Sequence, residues 1–297
     1  MDLSDASGAA PGNDTPGSFR AAITRRPVLV FCLAAVGLVV VLQFALVFAG
    51  LSLVPGKLAE LLVLPGLAIG ITALIGGRAA VRGLLAGLLR WRLGVARWLL
   101  VVLAIPALTV GVGLVTGTYR APGAGWGTEL ANYLVLLLLI GLTASVWEET
   151  AWSGFVQTRL TRRYGLLGGA MLTAVPFAVI HVPLAFENNG LAGTALTDAW
   201  ITWAFVFGTA PFFRYIAGGL LIDTGGSILA VAVLHASFNA SGALTAVPGG
   251  WQYAVALVVL AVLNLVVRAA RGRSVVAGTF PVPPAPAGQD GDQRAAE

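Results

Sequence analysis

Among the ionisable residues inside long apolar stretches of this sequence, five stand out: Glu148, Glu149, His181, Arg214 and His235. The chain has only two histidines, and both are among them. An ionisable side chain in the interior of a bilayer costs a few kcal/mol or more unless it is paired or hydrated, so each of the five is a candidate for function. Glu148 and Glu149 are adjacent, so on a helix their side chains diverge by about 100° and only one can face a given cavity squarely. Two carboxylates in a low-dielectric site also resist ionising together, which leaves one free to act as a base. His181 follows Phe177 by four residues, and Asn239 follows His235 by four, so each pair shares a helix face.

This set has the parts for hydrolysis. A carboxylate and an imidazole can deprotonate a water near neutral pH. A second imidazole and an amide can stabilise the oxyanion of a tetrahedral intermediate. No serine or cysteine is spaced as a nucleophile beside a base. Ser145, Ser153 and Ser237 read as small residues at helix contacts. Taken singly, each group has a blander reading: Glu148–Glu149 as an interfacial pair at a helix end, each histidine as a helix–helix hydrogen bond. Three spans carrying Glu-Glu, Phe-x-x-x-His and His-x-x-x-Asn shift the balance, because helix-borne polar groups must converge on an interior site rather than face lipid. Zinc ligation by the two imidazoles and a glutamate stays an open alternative, although there is no His-Glu-x-x-His motif.

The elements that position these residues must be membrane helices. Hydrophobic residues make up 58% of the chain and charged residues 10%, against about 25% charged in soluble domains. That is too few charges to cover a water-exposed surface. Apolar runs at about 28–50, 58–75, 98–116, 130–149, 166–185, 199–222, 226–246 and 251–268 each suit a ~30 Å hydrocarbon core. Helices follow, since lipid offers no partners for open backbone groups. The expected fold is thus an all-α membrane protein of about eight transmembrane helices with a polar site inside the bundle.

Charge supports this topology. Of 18 basic residues 17 are arginine, and 15 loop or tail positions fall on the face shared by both termini, leaving Lys57 and Arg120 on the other. The positive-inside rule places both termini in the cytoplasm of a multi-pass cell-membrane protein. The arginines flank apolar runs rather than alternating with exposed aromatics, so nucleic-acid binding has no support. Residues 78–97, with five arginines and Trp91, read as an interfacial helix. Cys32, the single cysteine, lies in an apolar run and forms neither a disulfide nor a metal motif. Residues 1–24 are expected to be a disordered N-terminus without the features of a cleaved signal, 25–272 the membrane domain, and 273–297 a disordered Pro/Gly/Ala-rich tail.

The three motifs, in this order on separate helices, resemble the CPBP family of intramembrane CAAX-processing proteases and bacteriocin-processing enzymes, whose pattern is Glu-Glu-x-x-x-Arg, Phe-x-x-x-His and His-x-x-x-Asn. The second and third match in full, and Gly218–Ser227 is similar to the family segment before the last motif, so the resemblance covers about 130–242. It implies that Glu148, aided by His181, activates water, that His235 and Asn239 stabilise the oxyanion, and that Glu149 orients the site. It implies an endopeptidase acting on a membrane-associated or lipidated peptide or protein, glutamate-dependent or metal-dependent, and the preferred glutamate mechanism needs no cofactor. The departure is Ser153, which stands where the family has arginine. A serine cannot replace that charge. Arg214 or Arg159 is expected to compensate, and Arg214 foremost, because its place in a span demands a partner. Two other functions fit the same residues. One is a silent family member acting as a binding or immunity scaffold. The other is a proton-coupled transporter, which the absence of internal repeats disfavours.

Overall fold

The computed structural model describes residues 19–277, which are mostly helical and contain no strand. The helices are α1 (Phe19–Arg25), α2 (Pro27–Phe48), α3 (Val54–Leu85), α4 (Val95–Val115), α5 (Gly125–Ile140), α6 (Val146–Glu149), α7 (Thr158–Ile180), α8 (Gly190–Gly193), α9 (Leu196–Asp223), α10 (Ile228–Ser241) and α11 (Gln252–Ala270). Two π-helical stretches, Gly141–Ser145 and Thr150–Gln157, join α5, α6 and α7 into one continuous rod. The chain is a multi-pass helical membrane protein, with leucines and valines of α2, α4 and α11 displayed outward.

Among the described residues, six stretches are long and apolar enough to cross a bilayer, against the eight spans expected. The difference has two sources. The stretch Gly125–Phe186 is 62 residues long and contains a break at Gly165, whose φ of 74° and ψ of −179° no other residue type adopts readily. The chain doubles back there. Trp152 and Phe177, each twelve residues from the Tyr164–Gly165 turn, stand with ring centroids 5.9 Å apart. This hairpin divides the rod into two passes. The other source is α10, whose 14 residues reach only about 21 Å.

The arms of the hairpin meet at Gly169, where a Cβ would lie 2.6 Å from the backbone nitrogen of Thr161. Backbone cannot yield as a flexible side chain does. Gly169→Ala is therefore expected to destabilise the fold by about 1–3 kcal/mol, read as a lowered unfolding midpoint in detergent. An unchanged midpoint would show that the arms are not held so closely.

Arginines gather at one end of the bundle. Arg25, Arg26, Arg159 and Arg163 line a single groove. The segment 78–97 is not one interfacial helix: it follows a break at Gly77 (φ 61°), continues as α3 to Leu85, tightens into a 3₁₀ turn at Ala86–Leu89, runs irregularly over 90–94 and enters α4 at Val95. Arg90 donates to the Gly225 carbonyl and its own carbonyl accepts from Ser227 Oγ at 2.7 Å, tying this segment to the α9–α10 turn. The boundaries of the domain also shift. Residues 19–24 are helical, and residues 273–277 run back along the bundle, where the Val276 carbonyl accepts from Leu167 N at 3.2 Å and Arg273 pairs with Asp223 at 2.9 Å. Residues 1–18 and 278–297, where the remaining disordered segments are expected, lie outside the described residues.

The core beside the rod is aromatic. Phe31 of α2 packs edge-on against Trp152 at 5.8 Å and against Phe155 at 5.2 Å, and all three are fully buried. In α9 every residue from Phe213 to Gly219 is buried, so this helix runs through the middle of the bundle and can hold a polar group away from lipid.

Candidate active site

Glu148 and Glu149 do not end a helix. The rod continues past them to Tyr164, so the reading of an interfacial pair at a helix terminus does not apply. They stand between the two π-helical stretches, where the wider i→i+5 ladder alters the direction of successive side chains. The hairpin sets their depth. Glu148 lies sixteen residues before the Tyr164–Gly165 turn and His181 sixteen after it, so an antiparallel pair brings them to one level. Their ligand atoms lie within 4.8 Å of each other.

Glu149 is fully buried and fully engaged. Arg214 Nη1 and Nη2 donate to its two carboxylate oxygens at 2.9 Å each, a bidentate pair with no exposed side-chain surface on either partner. Ser153 Oγ donates to Oε2 at 2.5 Å, and His235 Nδ1 lies 2.8 Å from Oε1. The guanidinium carbon of Arg214 is 4.0 Å from the Phe177 ring centroid and 4.9 Å from that of Phe213. Its backbone carbonyl accepts from Gln157 Nε2 at 2.5 Å. The cation missing at position 153 thus comes from α9. Ser153 fills the space one helical turn from Glu149 with a short donor. Arg159 takes no part: it donates to the Phe155 carbonyl at 3.0 Å and covers the Phe155 ring.

The histidines are held in defined tautomers. His181 caps α7, because Pro183 has no N–H to donate to the Val179 carbonyl and the chain continues as a 3₁₀ turn over Val182–Phe186. Its Nδ1 is 2.6 Å from the Phe177 carbonyl, which can only accept, so Nδ1 carries the proton and Nε2 of the neutral ring presents a lone pair. His235 Nδ1 donates in the same way to the Glu149 carboxylate, leaving its other ring nitrogen free. Phe177 stands between the two, with its centroid 4.7 Å from His181 and 5.9 Å from His235. Asn239 is one turn beyond His235 on α10. Its side chain is exposed and has no hydrogen-bond partner among the described residues, so the buried cluster does not include it. Of the serines, Ser237 bonds to Tyr133 and the Val102 carbonyl, and Ser153 to Glu149. Neither is placed as a nucleophile.

One member of the site escaped sequence reasoning. Glu60 of α3 is buried, and its carboxylate lies within 4.8 Å of both Glu148 and His181. The signal was an acid inside the apolar run 58–75, but three residues after Lys57 it reads as an interfacial ion pair. In the structure Lys57 pairs with Glu187 instead, and Glu60 Oε2 accepts from Gln43 Nε2 of α2 at 3.1 Å.

The arrangement therefore has two halves: a base side of Glu60, Glu148 and His181, and a buttressed side of Arg214, Glu149 and His235. Comparison with known proteins bears on both. Residues 130–241 match the family model described as "Type II CAAX prenyl endopeptidase Rce1-like". Over 126 residues the chain is 28% identical to the CAAX prenyl protease 2 of Methanococcus maripaludis. That match covers 42% of this chain and 45% of the relative, so the chain spans less than half of the relative's length. The stretch carrying Glu148, Glu149, His181, Arg214, His235 and Asn239 falls inside the segment 130–241, and this part of the chain is similar to the CAAX protease family.

Proposed function

We propose that the protein is an intramembrane endopeptidase that hydrolyses a peptide bond of a membrane-associated or lipidated substrate. The observation that carries this reading is the meeting of Glu148 and His181 at one level of the hairpin, beside a His235–Glu149–Arg214 chain of hydrogen bonds. Glu148 takes a proton from a water, and the Nε2 lone pair of His181 orients that water or shares its proton. The hydroxide attacks the scissile carbonyl carbon, and the carbonyl π electrons move to oxygen. The free ring nitrogen of His235, when protonated, and the unengaged amide of Asn239 donate to that oxyanion. Collapse breaks the C–N bond, and Glu148 returns its proton to the leaving amine. Glu149 does not touch substrate here; it fixes the His235 ring, and Arg214 and Ser153 fix Glu149.

The arginine-rich end of the bundle is read as cytoplasmic, with both termini there. A binding or immunity scaffold without catalysis would follow from the loss of the family arginine at Ser153, and the charge supplied by Arg214 weakens that ground. The test is turnover of a panel of prenylated and unprenylated peptides by purified protein in detergent. Glu148→Gln and His181→Ala are each expected to lower kcat by about 10²–10⁴-fold, the usual weight of a general base, with the protein still folded. Cleavage that survives both substitutions would sink the assignment, and peptide binding without any turnover would favour the scaffold.

A further inference from the structure

We propose that the groove between α2 and α7 is a binding site for one anionic glycerophospholipid, whose phosphate sits among Arg25, Arg26, Arg159 and Arg163 and whose acyl chain lies along the apolar walls beyond them. The site is distinct from the hydrolytic one, since none of Glu148, Glu149, His181, Arg214 and His235 lines it.

The charged end is built from two distant parts of the chain. Arg25 and Arg26 stand at the junction of α1 with α2, and Arg159 and Arg163 lie one turn apart in the arm of the hairpin before Gly165. No acidic residue lines the groove, and none of the four arginines has a carboxylate partner among the described residues. Elsewhere the bundle pairs its cations: Arg214 meets Glu149, and Arg268 and Arg273 meet Asp223. Four positive charges sharing one groove repel one another, and an anion among them turns that repulsion into attraction. Two of the guanidiniums are already oriented. Arg159 donates to the Phe155 carbonyl at 3.0 Å and lies 4.0 Å from that ring's centroid, and Arg163 lies 5.2 Å from the Tyr164 centroid. Each keeps further N–H donors, and their planar forks match the oxygens of a phosphate.

Beyond the arginines the walls are apolar. Leu29, Leu33 and Val36 of α2 face Leu172, Val175 and Val179 of α7 across the groove. From Pro27 to Gly37 it follows α2 for about 15 Å, the depth of one leaflet of a ~30 Å hydrocarbon core. Its volume of about 1120 Å³ exceeds the ~300–1,000 Å³ of most small-molecule pockets, which suits a lipid better than a metabolite or an inorganic anion. Leu33 and Val175 remain 68% and 60% exposed, so the groove opens sideways to the bilayer and a lipid can enter without leaving it. Tyr164 lines the groove beside Arg163, and tyrosine is enriched at the level of headgroups. A basic pocket between membrane helices holds an anionic headgroup in this way while the chain beneath it stays in the apolar layer.

The experiment uses the full chain, delipidated in an uncharged detergent and titrated with phosphatidylglycerol or with phosphatidylcholine of the same acyl chains. The readouts are the unfolding midpoint, which a ligand of the folded state raises with concentration, and the lipid retained per chain in native mass spectrometry. One phosphatidylglycerol per chain is expected, bound at least tenfold more tightly than phosphatidylcholine. Glycerol phosphate, which has the headgroup anion without the chains, is expected to leave the midpoint unchanged. The double variant Arg26→Gln with Arg163→Gln should weaken phosphatidylglycerol at least tenfold, about fivefold for each charge, and leave phosphatidylcholine unchanged. Both side chains are exposed, so the fold should hold. Gly37→Phe tests the apolar wall: a Cβ there meets nothing within 4 Å, and a ring fills the slot, so phosphatidylglycerol should weaken at least tenfold with every arginine intact. Arg78→Gln with Arg82→Gln removes two exposed charges outside the groove and should change neither lipid. Equal affinity for the two lipids, or equal losses in the two arginine pairs, would show diffuse surface charge and overturn the site. Full stabilisation by glycerol phosphate would overturn the lipid as occupant. A prenylated peptide that displaces phosphatidylglycerol, and itself binds through Arg26 and Arg163, would assign the groove to substrate and overturn the proposal as well.

Discussion

Arg214→Ala is expected to destabilise the protein by about 3–5 kcal/mol, the range for removing one partner of a buried ion pair. The reason is the state of what remains. Glu149 has no exposed side-chain surface, and its carboxylate would keep only Ser153 and His235 as partners for its charge. Arg214→Lys should not rescue fully, because one ammonium cannot span both oxygens in the fork geometry that two 2.9 Å bonds require. Glu149→Gln should be nearly as damaging, since it strands a guanidinium against Phe177 and Phe213. Removing both partners should then cost clearly less than the sum of the single losses. Denaturation midpoints of the wild type, the two single variants and the double variant in one detergent give the coupling directly. Additive losses would mean that the pair contributes nothing specific, and the account of the buttressed half of the site would fail.

The second large effect concerns position 153. If the charge that the family carries there has been moved to α9, adding it back without removing the other should be harmful. Ser153 is fully buried within 2.5 Å of Glu149, and Ser153→Arg would place a second guanidinium against one carboxylate already saturated by Arg214. An unpaired buried charge and an overfilled core together are expected to cost about 3 kcal/mol or more. The informative variant is the combination Ser153→Arg with Arg214→Leu. It restores one cation to one carboxylate, from the family position, and fills the α9 site with an apolar chain. Stability and peptide turnover are expected to return to within about tenfold of wild type, while each single change falls well below. A double variant no better than the worse single one would show that the two positions are not alternative seats for one charge.

Both predictions trace to how unevenly the chain discloses its structure. Its helical, membrane-spanning character was legible without coordinates, because few charges and long apolar runs leave no other way to satisfy the backbone in lipid. The expected spans lie close to the observed helices, from Pro27–Phe48 to Gln252–Ala270. The number of passes was less legible. The apolar runs 130–149 and 166–185 already stood apart in the sequence, in keeping with the break at Gly165 and the contact of Trp152 with Phe177, whereas the run 226–246 forms a helix of only 14 residues. The segment 78–97 misled because its arginines suit an interfacial helix, whereas the anchoring of Arg90 depends on the turn between α9 and α10.

For the site, the sequence by itself determined the residue types, their order and the turn-by-turn pairing of His181 with Phe177 and of His235 with Asn239. Periodicity within a single helix is a local property, and it survives without a fold. It also flagged the gap at Ser153 and a cation in α9 that needed a partner, since a buried charge must be met by something. Only the tertiary structure decided what met it. Contacts between Arg214 and Glu149, or between His235 and Glu149, join residues 65 and 86 positions apart and are set by helix packing. The same holds for Glu60, which local sequence pairs with Lys57 and the bundle places beside Glu148 and His181. A side chain's neighbours along its own helix are fixed by a rise of about 1.5 Å per residue, but its neighbours across the bundle follow from how the helices cross and turn, and the chemistry of this protein resides in those crossings.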